Sequence, residues 1–167
     1  MDVDLEGMFS ADVEFKSEEL QVAGVAVKLK CIEEHNCHLR SQVSQIRWPA
    51  AVPLCEFLNK EYFKDSSEAV ASTDILELGA GTGIVGLQLI VKEKKTKLTF
   101  SDRDPKSLSL IKENLALNAL NPEEYGYLCF DWKESSKLTD YVEEEKKFGL
   151  LIGSDIIYSG EELLPLV

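Results

Sequence analysis

Apolar and polar residues follow two regimes along the chain. From residue 74 onward, short apolar runs alternate with segments whose apolar residues return every three or four positions, the periods of buried strands and of amphipathic helices. The runs 74–78, 97–101, 125–130 and 148–153 predict strands. The segments 83–92, 105–118 and 136–146 predict helices. In the first helix Ile84, Leu87 and Ile90 or Val91 turn inward, and in the second Leu108, Ile111 and Leu115. Asp104 is placed to cap the second helix, with Pro105 at its first position. The run 148–153 is apolar throughout, as a strand covered on both faces should be. Strand and helix in strict alternation predict a Rossmann-like, doubly wound parallel sheet with right-handed crossovers.

Before residue 74 the pattern is weaker. Residues 20–32 alternate partly apolar and polar, the signal of a strand or hairpin. A polar loop follows to Gln45. Pro49 suits a first helical turn, and Ala50, Leu54, Phe57 and Leu58 recur at helical spacing. Pro53 falls inside that pattern and should kink the helix or delay its start. Residues 1–19 are acidic and expected to be loosely ordered, and 20–167 form one domain about four core strands deep.

The turn from the first core strand into its helix is rich in glycine. Glycine supplies the backbone angles of a tight turn and lets a ligand approach the main chain. The helix beyond it presents unpaired N–H groups. The loop fits two patterns. Gly79-Ala80-Gly81-Thr82-Gly83, with Glu77 two residues before it, is one; Gly81-Thr82-Gly83-Ile84-Val85-Gly86 fits the dinucleotide fingerprint. Asp102 ends the next strand, where either pattern wants a carboxylate for a ribose. A pyrophosphate would use the helix N-terminus but be repelled by Glu77, which suits a cationic ligand. The loop therefore leans toward S-adenosylmethionine, leaving NAD and a purely structural turn open.

Charge narrows the partners. With 30 acidic and 18 basic residues the net charge is −12, which argues against a nucleic-acid partner. The one dense basic run, Lys92 to Lys97, falls at a helix C-terminus, where lysines meet the negative end of the dipole. No stretch approaches the roughly 20 apolar residues of a membrane span, and no signal peptide is evident, so a monomer in the cytoplasm or nucleus is expected. The four cysteines then read as reduced thiols. Cys31, His35, Cys37 and His38 are too crowded for a zinc site, and no metal is expected.

Four short segments together resemble one family. Glu77-Leu78-Gly79-Ala80-Gly81-Thr82-Gly83 resembles motif I of class I, seven-β-strand, S-adenosylmethionine-dependent methyltransferases. Ile46-Arg47-Trp48-Pro49-Ala50-Ala51 resembles the Trp-Pro-Ala-Ala element of methyltransferase-like protein lysine methyltransferases (methyltransferase family 16). Phe130-Asp131-Trp132 resembles their Asp/Asn-Trp step, and Gly153-Ser154-Asp155-Ile156-Ile157-Tyr158 their Asp-x-x-Tyr signature. The resemblance implies a protein-lysine N-methyltransferase that uses S-adenosyl-L-methionine. It implies that Trp48 closes over the cofactor and that Gly79, Ala80 and Gly81 line its methionine part. Asp102 would take the ribose hydroxyls, Trp132 pack on the adenine with Asp131 at its edge, and Ser154 lie beneath. Asp155 and Tyr158 would face the substrate lysine.

The resemblance also implies seven strands, where the periodicity gives four. A C-terminally truncated sheet is therefore expected, with 148–153 as an exposed edge. Weak cofactor binding and little activity follow as expectations for such a chain. A non-catalytic variant acting as a binding module, and an NAD-dependent oxidoreductase, stand as the alternatives.

Overall fold

A computed structural model describes residues 14–33, 40–64, 73–94, 96–131 and 148–157. The predicted helix 136–146 lies outside them, as do Trp132 and Tyr158.

Two strands, β1 (Phe15–Val22) and β2 (Val25–Ile32), form an antiparallel hairpin. Ala23 and Gly24 both take positive φ, 46° and 85°, which matches the twist of a two-residue hairpin turn. The hairpin begins earlier than the alternation suggests. The expected boundary at residue 19 falls inside β1, because the half-buried positions Lys16 and Glu18 are themselves charged and Phe15 faces outward, which masks the apolar period.

A short 3-10 segment, Arg40–Gln45, leads to helix α1 (Ala51–Phe57), which continues as one wider turn over Leu58–Tyr62. The helix starts at Ala51 and not at Pro49, the delayed start that Pro53 allowed for, and Pro53 is its third residue. The first four N–H groups of a helix have no partner within it, so the missing donor costs nothing there.

The regular part follows the predicted order. It comprises β3 (Asp74–Glu77), α2 (Ile84–Lys92), β4 (Lys97–Asp102), α3 (Pro105–Leu117), β5 (Gly126–Cys129) and β6 (Leu150–Ile152). All four strands are parallel, in the order β5-β4-β3-β6. Right-handed crossovers running the same way across the sheet place α2 and α3 on one face. Every residue from Ile84 to Ile90 is buried, because α2 is sandwiched between the sheet, α1 and the hairpin. The core joins Val27 and Leu29 of the hairpin, Cys55 of α1, Ile84 to Ile90 of α2, and Ile75 and Phe100 of the sheet.

β6 departs from the expectation of a strand covered on both faces. Among the described residues it pairs with β3 alone. Its middle residue, Leu151, is 59% exposed, while Ile152 is buried.

The hairpin docks on α3 through two asparagines. Asn118 accepts from Lys28 N (2.9 Å) and donates to Lys28 O (2.7 Å). Asn114 does the same with Lys30, at 2.7 and 3.1 Å, and donates to Thr82 O at 3.0 Å. Four residues along a helix rise about 6 Å, close to the ~6.7 Å of two residues along a strand. The two side-chain amides thus pair the outer edge of β2 at Lys28 and Lys30 as a neighbouring strand would, covering that stretch of the edge.

Candidate functional site

The direction of the chain across the sheet reverses beside β3. β4 and β5 lie to one side of it and β6 to the other, so the carboxyl ends of β3 and β6 flank the topological switch point. In parallel α/β sheets that crevice is where ligands bind. The glycine loop leaves β3 there, Gly153-Ser154-Asp155 leaves β6 there, and Asp102 ends β4 next door.

The loop is held by backbone bonds on both sides. Leu78 N donates to Ile152 O (2.8 Å), Ala80 N to Ser101 O (2.9 Å), and Gly83 N to Ala80 O (2.7 Å). Gly79, Gly81 and Gly83 all have positive φ. At Gly81 a second constraint applies: a Cβ would stand 2.7 Å from Ser44 O, so the 3-10 segment lies directly on the loop. At Gly86 the reason is packing alone. A Cβ there would meet Glu77 Oε2 at 2.5 Å and Phe100 Cε1 at 2.7 Å.

Asp102 is buried at the end of β4. One carboxylate oxygen accepts Gly81 N and the other Asp104 N, both at 2.9 Å. Burial pushes its pKa up, and the two N–H groups pull it back. Asp104 caps α3 as its sequence predicts, accepting Lys106 N at 3.0 Å.

Glu77 is placed differently from the expectation. Its side chain does not face the crevice; it is turned inward and accepts Gly86 N at 2.9 Å, in the first turn of α2. Burial pushes its carboxyl up to about 8, against the pull of Gly86 N–H, and the Asp102 charge adds to the rise. The neighbouring Cys55 thiol is pushed up to about 12, mostly by burial. Strand parity gave no warning, because both faces of β3 are covered and Ile75, Leu76 and Glu77 are all buried.

The structure brings Trp48 and Asp155 to the same rim. The Trp48 indole is 40% exposed, and its N–H donates to Val43 O at 2.9 Å. Asp155, which carries a positive φ of 54°, accepts Ala50 N at 2.9 Å. Two motifs 105 residues apart are thereby joined. Ser154 is half-buried just after β6, and Asp131, also half-buried, follows the end of β5. Sequence reasoning missed Ser44, whose hydroxyl donates to Asp104 Oδ2 at 2.9 Å; nothing local distinguishes it from any polar loop residue.

A model of the family described as lysine methyltransferase matches residues 28–167. The protein N-lysine methyltransferase METTL21A of Xenopus tropicalis is 26% identical over 137 residues, covering 78% of this chain and 57% of that relative. The protein-lysine N-methyltransferase EFM6 of Saccharomyces cerevisiae is 32% identical over 136 residues, covering 72% and 53%. The chain thus spans about half the length of the curated relatives it matches. Among solved structures, a SAM-dependent methyltransferase from Agrobacterium tumefaciens shares the fold, with a TM-score of 0.58 at 17% identity, over 87% of this chain and 41% of that one.

Proposed function

This chain belongs to the lysine methyltransferase family, and from that premise we propose that the crevice beside β3 and β6 binds S-adenosylmethionine for methyl transfer to a lysine side chain of a protein substrate. The observation that carries the reading is Asp102, buried beside the glycine loop and bonded to Gly81 N. An ionised carboxylate has about four acceptor positions. Two are used by Gly81 and Asp104, which leaves room for the two hydroxyls of a ribose. The chemistry of the residues therefore fits the cofactor. Gly86 does not separate the cofactor from NAD, since the third glycine of a dinucleotide fingerprint serves the same helix–strand packing seen here against Glu77 and Phe100; the family match is what favours S-adenosylmethionine.

Bound S-adenosylmethionine supplies an electrophilic methyl group on a sulfonium that is already an activated leaving group. The protein's task is then to align donor and nucleophile. The fixed loop Gly79–Gly81 would hold the methionine part, and Asp102 the ribose. By the family resemblance Asp131 would stand at the adenine edge, Ser154 beneath the cofactor and Trp48 over it, and Trp132, outside the described residues, would be the stacking partner. Asp155 spends one oxygen on Ala50 N, and its other oxygen is left to orient the lysine ammonium. The family resemblance would assign Tyr158, outside the described residues, to the substrate lysine. A lysine loses its proton near pH 10.4 in water, about three units above neutrality; exclusion of water from the closed site favours the neutral amine.

Incubation with tritiated S-adenosylmethionine and cell lysate tests the activity. Label on lysine residues of protein, absent with Gly81→Arg, is the expected result. Label confined to small molecules or nucleic acid overturns the substrate class.

A further inference from the structure

Ser44, Asp104, Asp102 and Gly81 form a closed ring of contacts. The Ser44 hydroxyl donates to Asp104 Oδ2 at 2.9 Å. Asp104 N donates to Asp102 Oδ1 at 2.9 Å. Gly81 N donates to Asp102 Oδ2 at 2.9 Å. The ring closes where the Cα of Gly81 packs under the carbonyl of Ser44, with no room for a Cβ. Its members come from three elements: the 3-10 segment Arg40–Gln45, the loop after β3, and the end of β4 with the cap of α3.

We infer that Ser44 is a positioning residue of the cofactor site, a clasp that sets the orientation of the Asp102 carboxylate and presses the segment Arg40–Gln45 onto the glycine loop. The inference rests on the cofactor reading above. Neither oxygen of Asp102 is free to rotate, because each is bonded to a different backbone N–H. One of those N–H groups belongs to Asp104, which is itself tied by Ser44 on one oxygen and by Lys106 N on the other. Removing the Ser44 hydroxyl frees that side of the ring, and the Asp102 oxygens lose their fixed aim at a ribose. The loop also loses the pressure of the segment above it. No charge is removed by the substitution, and Asp102 and the glycine loop keep their own residues.

The full chain carrying Ser44→Ala and Ser44→Thr tests this. S-adenosylhomocysteine and its 2′,3′-dideoxyribose analogue are titrated calorimetrically, and amide exchange at Gly81 is followed without ligand. Loss of a single hydrogen bond predicts that Ser44→Ala weakens S-adenosylhomocysteine by about three- to tenfold. The dideoxy analogue, which has no diol for Asp102 to hold but still rests on the glycine loop, weakens by a clearly smaller factor, and Ser44→Thr restores the parent value. Gly81 exchanges several-fold faster in Ser44→Ala and at the parent rate in Ser44→Thr. Equal weakening of both ligands, or unchanged Gly81 exchange in Ser44→Ala, overturns the clasp. If the unmodified chain binds neither ligand, the cofactor reading fails instead, and Gly81 exchange alone decides whether the ring holds the loop.

Discussion

Glu77→Gln separates the pH response of this fold from that of an ordinary acidic protein. The Glu77 carboxyl is buried and stands at about 8, against 4.5 for the free group. A carboxyl raised in the folded state binds its proton more tightly there than in the unfolded chain. Its contribution to stability is therefore complete below pH 4.5 and is lost progressively as pH rises through about 8. At about 1.4 kcal/mol per unit, the interval corresponds to about 5 kcal/mol, of which about 4 kcal/mol falls between pH 5 and 9. For a domain of this size, about 1 kcal/mol moves Tm by about 2–4 °C, so the drop is on the order of 10 °C. The Gln side chain still offers a carbonyl to Gly86 N and cannot ionise. Thermal unfolding followed by circular dichroism at pH 5, 6, 7, 8 and 9 should show a falling Tm for the parent chain and a much flatter profile for Glu77→Gln. A shallow slope remains in the variant, because burial also raises Asp102. Parallel profiles for the two proteins across that range would refute a buried, protonated Glu77.

Three further outcomes follow from named contacts. Asn114→Ala strips Lys30 and Thr82 of three bonds in a buried setting and should cost about 2–4 kcal/mol in urea unfolding; Asn118→Ala, whose bonds to Lys28 are exposed, should cost about 1 kcal/mol. Gly81→Ala forces a side chain into a left-handed φ of 56° against the Ser44 carbonyl, and should lower stability by about 1–3 kcal/mol and weaken S-adenosylhomocysteine at least tenfold by calorimetry. Asp155→Asn keeps an acceptor for Ala50 N and tolerates the positive φ. Its Tm should stay within about 2 °C while lysine methylation falls about tenfold or more, which distinguishes the carboxylate charge from its structural bond.

The four strands and the two described helices between them were legible because both periods are local. Apolar runs of strand length, helical spacing in Leu108, Ile111 and Leu115, and the cap Asp104 beside Pro105 are all read within a few residues. The glycine loop was legible as a turn for the same reason. The orientation of Glu77 was not, since a strand covered on both faces gives no parity signal. The amide ladder of Asn114 and Asn118 was hidden because its partners lie 84 and 90 residues away. To a local reading these are two polar positions on an amphipathic helix. The link between Ser44 and Asp104 spans 60 residues and uses a side chain found in any loop. The junction of Ala50 with Asp155 was half-visible: both motifs stood out, and only the fold showed that they touch.

Calorimetric titration of the chain with S-adenosylhomocysteine, repeated with NAD and with Gly81→Arg, bears most directly on the site beside β3 and β6. One molecule bound per chain, no heat with NAD, and loss of binding in Gly81→Arg are the predicted results. Binding of NAD in its place, or undiminished S-adenosylhomocysteine binding by Gly81→Arg, would contradict a cofactor site built on the glycine loop and Asp102.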